Sequence, residues 1–265
     1  MITEELKSAL NSAEKAGEII MDYYSSNFKS YEKEDRTLVT EADIKAQDFI
    51  FENLKSYNYG FMGEEGDKKF LNKDRCWVVD PLDGTMEFIK RSNDFAVMIG
   101  LIEKGEPVLG VIYAPVKKVF YYALRGKGAF KKEKDKKPKI IKCSDISDIN
   151  SANIVINGPH LGDDIKSFFE VAKIDRTVPT GSIGLEFTLI AEGKVDMYMT
   201  TTDRTCLWDV CAGDIILREA GGLIMDTKGK NIVYSEDSVR NLDGIVSLNG
   251  KIYSEVLTFL KRRNN

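Results

Sequence analysis

Trp77-Val78-Val79-Asp80-Pro81-Leu82-Asp83-Gly84-Thr85 joins a hydrophobic strand to two carboxylates three residues apart around a proline turn. A strand end holds side chains rigidly, so any fold this chain adopts must bring Asp80 and Asp83 out together at one fixed place. Cys76 to Asp80, Ala96 to Ile102, Val108 to Tyr113 and Val119 to Leu124 read as apolar or alternating strands, broken by Pro81, Gly105 and Gly126. They predict a mixed or antiparallel sheet.

Ahead of that sheet, Leu6, Leu10, Ala13, Ala16, Ile20 and Tyr23 recur at helical intervals over residues 3–25, with Thr3 as a cap. A second helix follows Val39-Thr40-Glu41-Ala42-Asp43, with Thr40 as N-cap and Ala46, Phe49, Ile50 and Leu54 as its apolar face, and stops before Asn58. Residues 131–142 form a charged, solvated segment that predicts a hairpin. Beyond it, strands over 152–157, 194–199 and 244–247 alternate with helices over 163–172, 182–191, 209–220 and 253–263, a layered α/β pattern. A boundary near residue 142 divides an N-terminal α+β domain, 1–142, from a C-terminal α/β domain, 143–265.

Composition narrows the function classes. With 43% hydrophobic and 10% aromatic residues, six Pro and 21 Gly in 265 residues, disordered, collagen-like and disulfide-scaffold classes are excluded. Against 42 Asp and Glu stand 38 Lys and Arg, a net charge of −4, which argues against a binder of nucleic-acid polymer or of membrane surfaces. No apolar run approaches the roughly 20 residues that span a bilayer. The first twenty residues interleave acids and lysines through the apolar positions, unlike a signal peptide. Cys76, Cys143, Cys206 and Cys211 contain no C-x-x-C pair, so the expectation is a cytoplasmic protein with free thiols.

The single histidine, His160, lies in a Pro-His-Leu-Gly-Asp loop with no nucleophile motif beside it. Chemistry must therefore rest on carboxylates. Asp80, Asp83 and the Leu82 carbonyl offer oxygen ligands to hard cations, and a helix over Met86 to Lys90 offers free N–H groups to an anion beside them. Metal and helix terminus on one loop make a phosphate-handling arrangement. Three further acidic segments stand in similar contexts: Val39 to Asp43, the turn Met62-Gly63-Glu64-Glu65-Gly66, and Trp208-Asp209 opening a helix that ends at Gly221-Gly222. Taken one at a time, each acid reads equally as a turn residue or a helix cap. Asp43 in particular sits three residues after Thr40, as a capping-box carboxylate would.

In order and spacing, VTEAD (39–43), GEE (63–65), DPLDGT (80–85), RGKGAF (125–130), WDVCAG (208–213) and EAGG (219–222) resemble the inositol monophosphatase superfamily, metal-dependent and lithium-sensitive phosphomonoesterases. The resemblance spans nearly the whole chain and implies a layered αβαβα sandwich. It also implies that Glu64, Asp80, Asp83, Asp209 and the Leu82 carbonyl hold two or three Mg2+ ions. Gly84 and Thr85 would bind phosphate through their amides; Asp83 and Asp209 also face the substrate. Asp43, Glu64 and Thr85 would orient and deprotonate a metal-activated water, and Gly181 and Ser182 would line the substrate pocket, though Ser182 reads equally as a helix N-cap. Replacing Asp83 by Asn is expected to abolish turnover and leave the fold intact.

Specificity signals conflict. Asp83 to Arg91, followed by Asn93-Asp94-Phe95, is similar to the 3'(2'),5'-bisphosphate nucleotidase branch, whereas Glu186 resembles the archaeal inositol monophosphatase and fructose bisphosphatase pattern. Thr202 replaces a glutamate that inositol-specific members use. The favoured reading is hydrolysis of 3'-phosphoadenosine 5'-phosphate to AMP and phosphate; alternatives are an inositol-1-monophosphatase or fructose-1,6-bisphosphatase, and a catalytically silent metal or nucleotide sensor. The expected partner is a small phosphorylated metabolite, with no nucleic-acid polymer and no membrane, bound by a monomer or homodimer.

Overall fold

The computed structural model describes residues 3–32, 38–66, 69–70, 74–156, 181–200, 205–235, 239 and 244–263. His160, the helix expected over 163–172 and Thr202 lie outside them.

Helix α1 (Glu4–Tyr24) starts at Thr3, whose hydroxyl accepts from the Leu6 amide at 3.2 Å. A short antiparallel pair, β1 (Ser30–Glu32) and β2 (Leu38–Thr40), leads into α2 (Glu41–Leu54). There follow β3 (Gly60–Gly63), β4 (Lys69–Phe70), β5 (Arg75–Asp83), the short helix α3 (Thr85–Ile89), β6 (Ala96–Glu103), β7 (Glu106–Ala114), β8 (Val119–Leu124), β9 (Ala129–Glu133) and β10 (Lys139–Ile141). The second half contributes β11 (Ile154–Ile156), α4 (Ile183–Ala191), β12 (Met197–Thr200), α5 (Leu207–Ala220), β13 (Gly222–Met225), β14 (Ile245–Asn249) and α6 (Tyr253–Arg263).

An eight-stranded sheet runs in the order β10-β9-β8-β7-β6-β5-β3-β4, antiparallel except where β3 lies parallel to β5. The charged segment forms the β9–β10 hairpin at its edge, where lysines discourage pairing with another strand. A four-stranded sheet runs β11-β12-β14-β13, with only β11–β12 parallel.

Period-two alternation sends β-strand side chains to opposite faces, and that sorts the core into layers. Val79, Val97, Ile99 and Val111 pack on one face against α1 and α2, where Ala9, Ala13, Ala16, Ala42 and Ala46 let the two helices approach closely. On the other face, Val78, Met98 and Ile112 pack against Phe187 and Ile190 of α4 and Val210, Ile215 and Ile216 of α5. Tyr198 and Ile224 close that layer from the smaller sheet. Met197, Met199, Val246 and Leu248 face outward onto Ile252, Val256 and Leu260 around α6. The result is helices, sheet, helices, sheet, helix. Among the described residues, no helix is long and apolar enough to cross a membrane.

Two motifs distant from the acidic strand meet here. Glu219, near the end of α5, accepts from the amides of Gly126 and Gly128 at 2.6 and 2.7 Å, fastening the β8–β9 turn to that helix.

Because α5 lies between the sheets, Ile216→Ala is expected to cost about 2–5 kcal/mol in urea denaturation. Ile140→Ala, at a position 67% exposed on the edge strand, is expected to stay within about 0.5 kcal/mol. Equal costs would contradict the layering.

Candidate active site

In a regular strand, residues three apart point to opposite faces. The sequence suggests a strand ending at a proline turn; instead β5 continues through Pro81 to Asp83, and its register against β6 shifts by one residue between Asp80 and Asp83. Asp80 lies opposite Met98 and Asp83 opposite Ala96, both on the face toward α4 and α5. The bulge re-phases the strand, so both carboxylates share one face, while the Leu82 side chain turns into the opposite core. The Leu82 amide donates to Asp80 Oδ1 at 2.9 Å. After the strand, Gly84 adopts φ +88° as N-cap of α3; a Cβ there would meet the Asp94 carbonyl at 2.9 Å, so only glycine makes this junction.

Asp43 is fully buried at the third position of α2. Its Oδ2 accepts from the Thr40 amide at 2.8 Å and from the Thr40 hydroxyl, closing a capping box. Its Oδ1 faces Thr85 Oγ1 at 3.0 Å, and the same hydroxyl lies 3.1 Å from the Leu82 carbonyl. The two readings of Asp43 thus occupy its two oxygens. Asp209 repeats the arrangement at the third position of α5: Oδ2 accepts from the Cys206 amide at 2.6 Å, and the carboxyl is also hydrogen-bonded to Asp80. Glu64 follows β3 directly; its amide donates to the Val79 carbonyl at 3.1 Å and its carboxyl reaches Asp80.

Ser182 is the N-cap of α4, accepting from the Leu185 amide at 3.2 Å, and its hydroxyl also donates to Asp83. Asp83 further accepts from the amides of Ile183 at 3.2 Å and Gly184 at 2.7 Å. Its carboxylate therefore seats the N-terminus of α4. Asn at this position would keep one accepting oxygen and turn an amide NH2 toward at least one of those donors, so Asp83→Asn is expected to loosen the start of α4 as well. Gly181 lies against Glu87: a Cβ there would fall 1.8 Å from Glu87 Cγ. Glu186 is fully buried within the first turns of α4.

Asp43, Asp80, Asp83 and Ser182 are buried, whereas Glu64, Gly84, Thr85, Gly181 and Asp209 are half-buried. Burial pushes the Asp43 carboxyl up to about 6, with Glu64 adding to it and Thr40 and Thr85 opposing. Asp83 is likewise pushed up to about 6 by burial, opposed by Ser182 and the α4 amides. Asp80 and Asp209 are raised well above the usual carboxylate range, by burial first and then by the Glu64 carboxylate. Four acids raised by burial and, each of them, by the Glu64 carboxylate need either protons or a cation. Among the described residues, no three acidic, thiol or imidazole groups form a finished coordination shell. The carboxyls are hydrogen-bonded to one another and to helix amides, so they fit a hard divalent cation by donor chemistry and not by completed geometry.

Two basic residues of the same stretch are engaged elsewhere. Lys90 pairs with Glu87 at 3.3 Å, while Arg91 donates to the Ser26 carbonyl at 2.8 Å and lies over the Tyr24 and Phe28 rings. Sequence reasoning overlooked Gln47, whose signal is its spacing of one helical turn from Asp43.

A family model described as the inositol monophosphatase family matches residues 2–261. The chain is 37% identical over 237 residues to the 3'(2'),5'-bisphosphate nucleotidase CysQ of Salmonella typhimurium, covering 87% of this chain and 94% of that protein. It is 36% identical over 230 residues to the protein of the same name from Escherichia coli K12, covering 84% and 91%. Among solved structures, the IMPase of Thermotoga maritima aligns with a TM-score of 0.82 at 28% identity, over 98% of each chain. CysQ from Bacteroides thetaiotaomicron aligns with a TM-score of 0.77 at 30% identity, over 92% of this chain and 96% of that one.

Unfolded aspartates titrate near 3.8, whereas native Asp43 and Asp83 hold protons up to about 6, and Asp80 and Asp209 are raised further. This contribution to stability is complete below the unfolded value and is lost as pH rises through the native values. In chelator, the melting temperature is expected to fall as pH rises from about 4 through about 6, and Asp80→Asn to flatten the fall. A wild-type melting temperature that stays level across that range would contradict the coupled cluster.

Proposed function

Since the chain belongs to the inositol monophosphatase family and is a phosphatase, we propose that it is a 3'(2'),5'-bisphosphate nucleotidase, taking 3'-phosphoadenosine 5'-phosphate to AMP and phosphate. The carrying observation is its identity, over most of both chains, to two proteins named for that activity. The stretch Glu87-Phe88-Ile89-Lys90-Arg91 after the acidic strand supports the same branch.

Glu64, Asp80, the Leu82 carbonyl, Asp83 and Asp209 would hold Mg2+, two or three ions per site. Bound there, Mg2+ supplies positive charge to the phosphate oxygens and acidity to a water molecule. Thr85 Oγ1, fixed between Asp43 Oδ1 and the Leu82 carbonyl, orients the attacking water, and Asp43, with Glu64 nearby, takes up its proton. The amides of Gly84 and Thr85 precede the first bond of α3, from the Phe88 amide to the Gly84 carbonyl, and are available to a phosphate. Gly181 and Ser182 line the substrate side. The N-terminal domain, 1–142, would bring most of the ligands, and the C-terminal one, 143–265, would bring Asp209. All four cysteines are free, which supports a reducing, cytoplasmic setting.

A second reading, an inositol monophosphatase or fructose bisphosphatase, is favoured by Glu186, buried four residues beyond Ser182. Phosphate release with Mg2+ from 3'-phosphoadenosine 5'-phosphate, inositol 1-phosphate and fructose 1,6-bisphosphate separates them. The bisphosphorylated nucleotide is expected to show the highest kcat/KM, and preference for either sugar ester would select the second reading. Asp80→Asn is expected to lower kcat by at least about a hundredfold, since it removes a charge from the centre of the ligand set; retained turnover would remove Asp80 from the machinery.

A further inference from the structure

Gln47 lies on α2 four residues beyond Asp43, so both project from the same face of the helix. Its side chain is almost wholly buried, at 2% exposure. The amide makes two bonds to the backbone of a single residue: Oε1 accepts from the Glu65 amide at 2.9 Å, and Nε2 donates to the Glu65 carbonyl. The peptide immediately after Glu64 is thereby clamped to α2. On its other side, the Glu64 amide is bonded to the Val79 carbonyl, next to Asp80. The backbone of Glu64 is held from both directions.

Gly63 completes the clamp. A Cβ there would stand 2.3 Å from Gln47 Oε1, so only glycine leaves room for the amide. The same helix face that fixes Thr85 through Asp43 also fixes the turn that carries Glu64. We propose that Gln47 is a positioning residue: it sets the Glu64 carboxylate against Asp80 and so tunes the affinity of the site for its divalent cation. This rests on the reading of Glu64 as a metal ligand.

The test compares wild type, Gln47→Leu, Gly63→Ala and Asn53→Ala. Asn53 is a control on the same helix: it loses a 2.7 Å bond to Ser12, far along α2 from the turn. For each protein, melting temperature is followed in chelator and across a Mg2+ titration, alongside kcat and the Mg2+ concentration for half-maximal turnover. Gln47→Leu and Gly63→Ala are both expected to weaken Mg2+ binding by about tenfold or more and to lower kcat, as losing a residue that orients a ligand does. Asn53→Ala is expected to lower the melting temperature in chelator while keeping wild-type Mg2+ dependence. If Gln47→Leu does not fold, Gly63→Ala decides, because it displaces the amide without removing it. Lowered melting temperatures with wild-type Mg2+ affinity and kcat in both variants would overturn the proposal and leave the metal site standing. A wild type whose melting and turnover ignore Mg2+ would overturn the metal reading, and this proposal with it.

Discussion

Like charges buried together are the constraint from which this structure follows. Asp43, Asp80 and Asp83 are shielded from water, and Glu64 and Asp209 stand beside them. An unpaired ionised carboxylate in such surroundings costs an amount comparable to a domain's whole net stability. Every nearby element is arranged to satisfy these oxygens. The β5 bulge brings two of them to one face, the N-terminus of α4 receives Asp83, and α2 and α5 each begin with an acid turned back onto its own cap.

This arrangement ties local structure to the proposed chemistry at several positions. Asp43 closes a capping box with one oxygen and holds Thr85 with the other. Asp209 gives one oxygen to the Cys206 amide and meets Asp80. Asp83 seats α4 while lying next to the other acids. Each of these side chains holds local structure as well as standing in the proposed site, so a readout confined to turnover would conflate the two. Metal dependence measured apart from melting separates the two.

Much of the fold was legible because helical periodicity and caps are local signals. Thr3, Thr40 and Ser182 mark their helix starts within a residue. The long strands β5 to β8 stood out as apolar runs between breakers, and the 131–142 segment as a hairpin. Among the strands of two to four residues, β1 to β4 and β13 carry too few side chains to show a period. The bulge was read as a turn, because Pro81 marks a break without saying that pairing resumes beyond it. Contacts between distant segments left the least trace. Glu219 against the Gly126–Gly128 turn, and Asp83 against residues 182–184, join parts of the chain whose separate motifs say nothing of their pairing. Gln47 was missed for a related reason: a polar residue on a helix reads as surface until the turn that it grips is seen.

In the proposed function, the acids around Asp80 form one cation site at the end of β5. Anomalous diffraction from crystals soaked with Mn2+, a hard cation with similar oxygen preference, tests it most directly. Anomalous peaks are expected within coordination distance of Glu64, Asp80, Asp83, Asp209 and the Leu82 carbonyl. Ordered Mn2+ found only elsewhere, in crystals of an enzyme that still requires a divalent cation for turnover, would contradict it.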